Sequence, residues 1–414
     1  MNPGEISIGD FGYQLPDEKI AKHPLSNREE SKLLVFRNGK ITDSGFTHLC
    51  SFLPKNSLLV FNNTKVIHAR ILFRKPSGAQ IEVFCLEPTS NNYVETLGSN
   101  RSCTWYCLIG NSKRWKGETL LKEISIHGVL VNFEANIISK NEAEFTVEFS
   151  WNNPNISFGE ILSVAGDLPI PPYLNRKPQS NDEIAYQTVY AKEEGSVAAP
   201  TAGLHFTPKI LNELLLQNIQ KTELTLHVGA GTFKPVKTAK MKDHDMHRES
   251  IFIRLISIQM LLDQLINNQF IIPVGTTSLR TIESIYWFGV KMIEQLNTPL
   301  TNSEMKFEIN QWEPYQLNQN IDPKDSLSAV INYMKQNNLE FISGNTQILI
   351  VPGYSFKLAK AIITNFHQPN STLLLLIAAL IGNDWKKIYD HALSNEYRFL
   401  SFGDSSLLFS HSLQ

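Results

Sequence analysis

A histidine placed between a buried strand and a helix cap can serve as acid, base or hydrogen-bond donor near neutral pH. His367 sits so in TNFHQPNSTLLLL (364–376), where Asn370, Ser371 or Thr372 can cap the apolar helix that follows. A purely structural histidine fits the same place. In SVAAPTAGLHFTPKIL (196–211), Thr207 as N-cap and Pro208 at the first helical position explain the helix start, which leaves His205 without a capping duty. In VGTTSLRTIES (274–284), Thr276, Thr277 and Ser278 meet at a helix N-terminus. Free N–H groups and hydroxyls there suit a carboxylate or phosphate, with Arg280 as a planar clamp; ordinary capping would need only one of the hydroxyls. HVGAGTF (227–233) places Gly229 and Gly231 after a strand, where backbone N–H groups can approach a ligand or the chain can simply turn. Phe233-Lys234-Pro235 blocks an immediate helix and a third glycine is missing, so a dinucleotide fingerprint is rejected.

KDHDMHRE (242–249) sets His244 and His247 three apart beside Asp243 and Asp245. The segment lacks the glutamate of a His-Glu-x-x-His zinc site and has no nearby cysteine, so a surface or substrate-contact pair is preferred and no metal is expected. For a polyanion, KVIHARILFRK (65–75) and NSKRWKG (111–117) supply Lys65, Arg70, Arg74, Lys113 and Arg114, with Trp115 able to stack on an unpaired base. A solvated strand face is the plainer account of the same residues.

The loops share a grammar in which a buried strand runs into a Gly, Ser, Thr or His cluster. In an open α/β sheet such loops gather at the carboxyl ends of strands, where ligands bind. The runs at 33–36, 57–61, 222–228, 270–275, 346–352 and 360–366 read as buried strands, with helices over IQMLLDQLINN and TSLRTIESIYWFG between the earlier ones. From Val66 to Trp151 the texture changes to alternating, β-branched segments spaced by turns. The expected fold is a layered α/β domain (1–65 and 156–414) with a parallel component, carrying an inserted all-β barrel (66–155). Residues 297–345, rich in Asn, Gln and Lys around one weak amphipathic helix, read as a surface elaboration.

The chain has 414 residues, more than one core of about 100–200 residues accommodates. Its 38 Lys and Arg against 40 Asp and Glu give no global positive field, so a nucleic-acid partner must find a local patch. Four scattered cysteines form no disulfide framework, and the polar N-terminus has no signal-type apolar core. The greasiest run, TLLLLIAALI, is about half a membrane span. A cytoplasmic protein with no membrane partner is expected, and a monomer is favoured.

HVGAGTFKPV, AYQTVYAKEEGSVAAPTAGLHFT, DHDMH, VGTTSLRTIES, PGYSFKLAKAIITNFHQPNSTLLLL and YRFLSFGD together resemble the S-adenosylmethionine:tRNA ribosyltransferase-isomerase family of queuosine biosynthesis. FGYQLPDEKIAKHPLSNREESKLLVF and LLVFNNTKVIHARI resemble its opening, so the likeness runs through nearly the whole chain in the family's order. It implies an α/β domain with an inserted barrel. The implied reaction moves the ribosyl part of S-adenosylmethionine onto the aminomethyl group of a deazaguanine at the tRNA wobble position. Adenine and methionine leave and the sugar becomes an epoxycyclopentane, giving epoxyqueuosine. S-adenosylmethionine is then a co-substrate, no cofactor is permanently bound, and the partner is the tRNA anticodon loop. A sulfonium acidifies the neighbouring ribose C–H, so the site needs a base, a proton donor for adenine and an anion site for the methionine carboxylate. On this resemblance His205, His227 and His367 are expected to act directly on the substrate, with Asp243, His244 and His247 as a second cluster. Gly229, Gly231, Thr276, Thr277, Ser278 and Arg280 are expected to bind S-adenosylmethionine, and the barrel's basic residues the RNA.

The chain departs from the family pattern at Ala185, where Arg is common, at Lys360, where an acid is common, at His68, where Pro is common, and at Phe402 and Ser405-Ser406. These changes leave three rivals: a paralogue acting on another nucleoside or amine, a non-catalytic tRNA-binding protein, and an ordinary methyltransferase. The last lacks a Gly-rich loop at a first strand–helix turn.

Overall fold

The computed structural model describes residues 2–90, 92–141, 144–229, 236, 238–296 and 307–411. The apolar runs that read as strands pair into two mixed sheets. One has the order Ala361–Asn365, Ser405–Phe409, Lys32–Arg37, Lys40–Gly45. The other has the order Ile271–Pro273, Leu58–Asn62, Gln220–His227, Glu249–Arg254, Phe341–Thr346, Phe307–Ile309. A parallel bridge between Val274 and Ile363, with Gly275 N–H donating to the Ile363 carbonyl at 2.8 Å, joins them edge to edge. Four neighbouring strands, Ala361–Asn365, Ile271–Pro273, Leu58–Asn62 and Gln220–His227, therefore run parallel and end on the same side.

Burial on both faces explains why these strands read as continuous apolar runs rather than alternating ones. Leu34, Phe36, Leu58 and Val60 enter one core with the helices Leu255–Ile266, Thr276–Leu296 and Thr372–Ile381. Their neighbours Leu33, Val35, Leu59 and Phe61 enter another with the helix Pro208–Leu216. Thr207 caps that last helix, accepting from Ile210 N–H at 3.3 Å, and Ser371 caps Thr372–Ile381, accepting from Leu374 N–H at 3.2 Å.

A seven-stranded antiparallel sheet occupies the region of alternating sequence, ordered Gly166–Asp167, Arg70–Arg74, Gln80–Pro88, Ser102–Gly110, Phe145–Trp151, Val129–Lys140, Leu120–Ile126. It curls until the strands Arg70–Arg74 and Leu120–Ile126 come near one another, where Lys122 Nζ donates to the Leu72 carbonyl at 3.1 Å and the Ala165 carbonyl at 2.8 Å. The result is a half-barrel with its own core around Trp105, Phe133, Phe149 and Phe158. All four cysteines are free and buried, and Cys85, Cys103 and Cys107 pack in this core.

Two expectations are corrected. The expected strand 346–352 does not continue past Thr346: the strand is Phe341–Thr346, and in the buried stretch 348–351 side chains and loop groups satisfy the backbone, Tyr315 Oη donating to the Leu349 carbonyl at 2.9 Å. Residues 297–345 are not a surface elaboration where they are described. Phe307–Ile309 and Phe341–Thr346 complete the main sheet, and Leu327, Val330, Ile331 and Met334 of the helix Pro323–Gln336 enter its core. On that helix the polar residues Lys324, Asn332, Lys335 and Gln336 lie on the exposed side.

Candidate active site

A cleft of about 480 Å³ opens at the carboxyl ends of the four parallel strands. That volume falls within the usual range for small-molecule sites, about 300–1,000 Å³. Three of the four strand exits supply part of the wall: Asn365 to Leu373 after one, Gly275, Thr276, Thr277 and Arg280 after the next, Val228 and Gly229 after Gln220–His227. The small residues 198–202 line another side, the segment 244–249 a third, and the half-barrel contributes Leu86 and Glu87. Convergence on strand ends follows from the sheet's geometry, since parallel neighbours deliver all their following loops to one edge.

Inside this wall Arg280, Glu249 and His247 form a connected set. Arg280 Nη1 donates to Glu249 Oε2, Arg280 Nε donates to the Ile348 carbonyl at 3.1 Å, and His247 Nε2 lies 3.2 Å from Glu249 Oε1. Burial pushes the Glu249 carboxyl up, but Arg280 and His247 outweigh it and hold the group below the usual carboxylate range. Arg280 Nη2 is buried without a hydrogen-bond partner. The expected clamp is thus partly spent on Glu249, and only the second guanidinium nitrogen remains for a ligand. Thr276 and Thr277 line the cleft, whereas Ser278 is fully buried outside its lining.

The three singled-out histidines do not converge. His367 alone of them lines the cleft; its Nε2 is 3.0 Å from Thr364 Oγ1, its backbone N–H donates to Tyr389 Oη at 3.0 Å, and burial lowers the imidazole to about 4. His205 is buried outside the lining, between Ser31 Oγ at 2.8 Å from Nδ1 and Asn365 Nδ2 at 3.1 Å from Nε2, and is likewise lowered to about 4 by burial. His227 is held by Thr64 Oγ1 at 2.9 Å from Nδ1 and packs on Tyr93 of the half-barrel, ring centroids 4.3 Å apart, again outside the lining. The close fit there requires Gly195, at φ +145°, where a Cβ would stand 2.6 Å from Tyr93 and 2.8 Å from His227. Alternation along the strand turns His227 away from the side its neighbour Val228 presents. In the second cluster His244 and His247 line the cleft, and burial, then His247, lowers His244. Asp243 is exposed outside the lining, and Asp245 takes its place in it. Gly231 lies outside the described residues. Among the described residues no three His, Cys, Asp or Glu side chains are grouped to hold a metal.

The family model described as a queuosine biosynthesis protein matches residues 8–408. The chain is similar to three proteins each named S-adenosylmethionine:tRNA ribosyltransferase-isomerase. The first, from Treponema denticola, is 34% identical over 96% of this chain and 99% of its own. The second, from Halothermothrix orenii, is 35% identical over 97% and 100%, and the third, from Aromatoleum aromaticum, is 34% identical over 97% and 97%. The chain belongs to the S-adenosylmethionine:tRNA ribosyltransferase-isomerase family. A solved S-adenosylmethionine tRNA ribosyltransferase from Thermotoga maritima is also similar, 25% identical over 97% of this chain and 100% of that one, with a TM-score of 0.46.

Membership makes the chain an enzyme of queuosine biosynthesis and turns attention to the basic residues of the half-barrel. Arg70 is ion-paired to Glu82 at 3.3 Å and lies over the Phe84 ring, and Lys65 is paired to Glu194 at 2.8 Å. Arg74, Lys113 and Arg114 are exposed and drawn together by Lys75, whose Nζ donates to the Arg114 carbonyl at 2.8 Å. Trp115 is 5% exposed and donates its indole N–H to the Glu118 carbonyl at 2.7 Å, so it packs the half-barrel and presents no face to a base. The strand Gln80–Pro88 separates this basic end from Glu87 at the cleft, roughly 20 Å at 3.3 Å per residue. No helix among the described residues is long and apolar enough to cross a membrane.

Sequence reasoning missed Glu249, Glu87, Thr201 and Asn365 as wall residues. Asn365 had a readable signal, a polar amide ending the apolar run KAIIT. Glu249 had none, because its partner Arg280 is 31 residues away on a helix.

Proposed function

We propose that this enzyme transfers and isomerises the ribosyl moiety of S-adenosylmethionine onto the aminomethyl group of a deazaguanine at the tRNA wobble position. The product is epoxyqueuosine in tRNA, with adenine and methionine released. The observation that carries the reading is that segments scattered through the sequence, around residues 198–202, 229, 244–249, 275–280 and 365–373, line one cleft. The relatives that bear the ribosyltransferase-isomerase name match this chain over their whole length.

In this reading His367 takes the proton from the ribose carbon beside the sulfonium. Held down to about 4 by burial, it is a neutral imidazole at pH 7 and free to accept. His247, oriented by Glu249, and His244 are the other imidazoles on the wall. Adenine departs with the electrons of the glycosidic bond and gains a proton; the ring C–O bond opens at the carbon to which the amine forms its C–N bond, the amine giving up a proton. The deprotonated carbon closes the carbocycle by a C–C bond to the carbon that lost adenine, and the freed ring oxygen forms the epoxide by displacing sulphur, which leaves as methionine with the electrons of its C–S bond. Arg280 Nη2, Thr276 and Thr277 offer donors to the methionine carboxylate. Lys65, Arg70, Arg74, Lys113 and Arg114 remain the candidates for the tRNA backbone, the exposed trio Arg74, Lys113 and Arg114 first.

The domain reading belongs to the same proposal: a discontinuous layered α/β catalytic domain, supported by two cores fed from opposite faces of the two joined sheets, with the half-barrel inserted to meet tRNA. A cytoplasmic monomer is expected, which light scattering on the purified protein checks. The deciding experiment incubates the enzyme with S-adenosylmethionine and tRNA bearing the aminomethyl-deazaguanine. Adenine, methionine and an epoxide-bearing nucleoside are expected. S-adenosylhomocysteine, turnover only with another acceptor, or tRNA retention without consumption of S-adenosylmethionine would each replace the proposal.

A further inference from the structure

Asn365 ends the strand Ala361–Asn365 at the floor of the cleft, 3% exposed. Its carboxamide has two N–H donors and two acceptor lone pairs. One donor goes to His205 Nε2 at 3.1 Å, and one lone pair accepts from Thr201 Oγ1 at 3.1 Å. One N–H and one lone pair of the carboxamide remain for a ligand.

The amide's orientation is fixed from behind. Asn365 Nδ2 stands 3.1 Å from His205 Nε2, and Ser31 Oγ stands 2.8 Å from Nδ1. An amide nitrogen can only donate, so Nε2 is the acceptor and Nδ1 carries the proton toward Ser31 Oγ. In that tautomer a flipped amide would turn its oxygen onto the Nε2 lone pair. Burial holds the imidazole neutral, which keeps this pattern throughout the physiological range.

A fixed donor beside a fixed acceptor is the complement of an amino group next to a ring nitrogen, the pairing by which Asn reads adenine through N6 and N7. The surrounding wall at this depth, Ala198, Ala199, Pro200 and Ala202 with Phe366, is small and apolar and suits a flat base. A nucleotide still tethered to tRNA enters from the rim, whereas a free co-substrate can reach the floor. We propose that Asn365 reads the adenine edge of S-adenosylmethionine, and that His205 is a positioning residue that sets which edge is accepted. This rests on the function proposed above.

The test measures binding of S-adenosylmethionine and of its hypoxanthine analogue, S-inosylmethionine, by calorimetry. In the analogue a carbonyl replaces the amino group and would face the Asn365 oxygen. The wild type should prefer S-adenosylmethionine by about ten- to a hundredfold, the range one bidentate amide–base pair provides. His205→Gln fills the same space with an amide that can present either end, so it should bring the preference to within about threefold while S-adenosylmethionine still binds. Asn365→Ala should weaken S-adenosylmethionine binding and lose the preference as well. A merely structural role for His205 would lower the melting temperature without changing the ratio. Equal binding of both compounds by the wild type, a full preference in His205→Gln, or, should that variant not fold, a full preference in Asn365→Ala would overturn the proposal. Absence of S-adenosylmethionine binding by folded wild type would instead overturn the underlying function.

Discussion

Single residues divide here into those that meet the cleft and those that hold its wall. His367 is the imidazole on which the proposed proton transfer rests. His367→Ala should lower kcat by about 10²- to 10⁴-fold, with the circular dichroism spectrum unchanged; retained turnover would return the base to His247 or His244. The buried imidazoles also predict acid sensitivity. His205 and His367 stand near 4 in the fold against about 6.5 when unfolded. As pH falls below 6.5 the unfolded chain binds protons first, so stability present above 6.5 is lost progressively toward pH 4. The loss is roughly 3 kcal/mol for each by pH 4, and denaturant midpoints taken from pH 7 to 4 should follow it. Glu249 has the carboxylate sign: its depressed folded value stabilises above the ordinary carboxylate pKa, and that contribution disappears further down in acid. Glu249→Gln should cost about 3–5 kcal/mol at pH 7, because it leaves Arg280 buried without its counter-charge.

At the scale of elements, the helix Thr276–Leu296 carries Thr276, Thr277 and Arg280 to the cleft, and its placement rests on two contacts farther along. Glu283 accepts from the backbone N–H groups of Lys357 and Leu358 at 2.9 Å and Ala359 at 3.1 Å, and from Tyr354 Oη at 2.8 Å. That loop feeds the strand bearing Asn365, so one buried carboxylate ties together two sides of the site. Glu283→Ala strands those donors and should cost at least about 3 kcal/mol in denaturation. Gly289 is the second contact. A Cβ there would stand 2.3 Å from the Ser326 carbonyl oxygen at the start of the helix Pro323–Gln336. Gly289→Ala should therefore destabilise by about 1–3 kcal/mol or more through overpacking, despite alanine's better helix propensity, and a lowered melting temperature is the check.

For the whole molecule, the distance between the basic end of the half-barrel and the cleft makes affinity and chemistry separable. Neutralising Arg74, Lys113 and Arg114 together should weaken tRNA binding and lower the slope of log K against log salt by about 2–3, at 0.7–0.9 for each phosphate no longer neutralised. The rate with saturating tRNA should hold. Trp115→Ala should instead reduce stability through the half-barrel core, with the salt slope unchanged. An unchanged slope in the charge variant would move the RNA footprint to the main sheet's side.

Local pattern carried much of this. The doubly buried strands, the alternating half-barrel, the caps at Thr207 and Ser371 and the strand-end loops were legible because each depends on neighbours a few residues away. The resemblance fixed the family for the same reason, since its motifs are contiguous. Which of those side chains face the cleft was legible only in part. His205 and His227 stand in the right motifs yet are turned into packing, one against Ser31 and Asn365, the other against Thr64 and Tyr93. Trp115 sits among lysines and arginines yet faces inward. The strand misread at 347–351 and the buried helix face within 323–336 differ from surface segments only in what covers them. Side-chain direction at a strand end, and the partner a charge finds, depend on contacts between residues tens to hundreds of positions apart, and only the assembled sheet, helices and half-barrel bring those together.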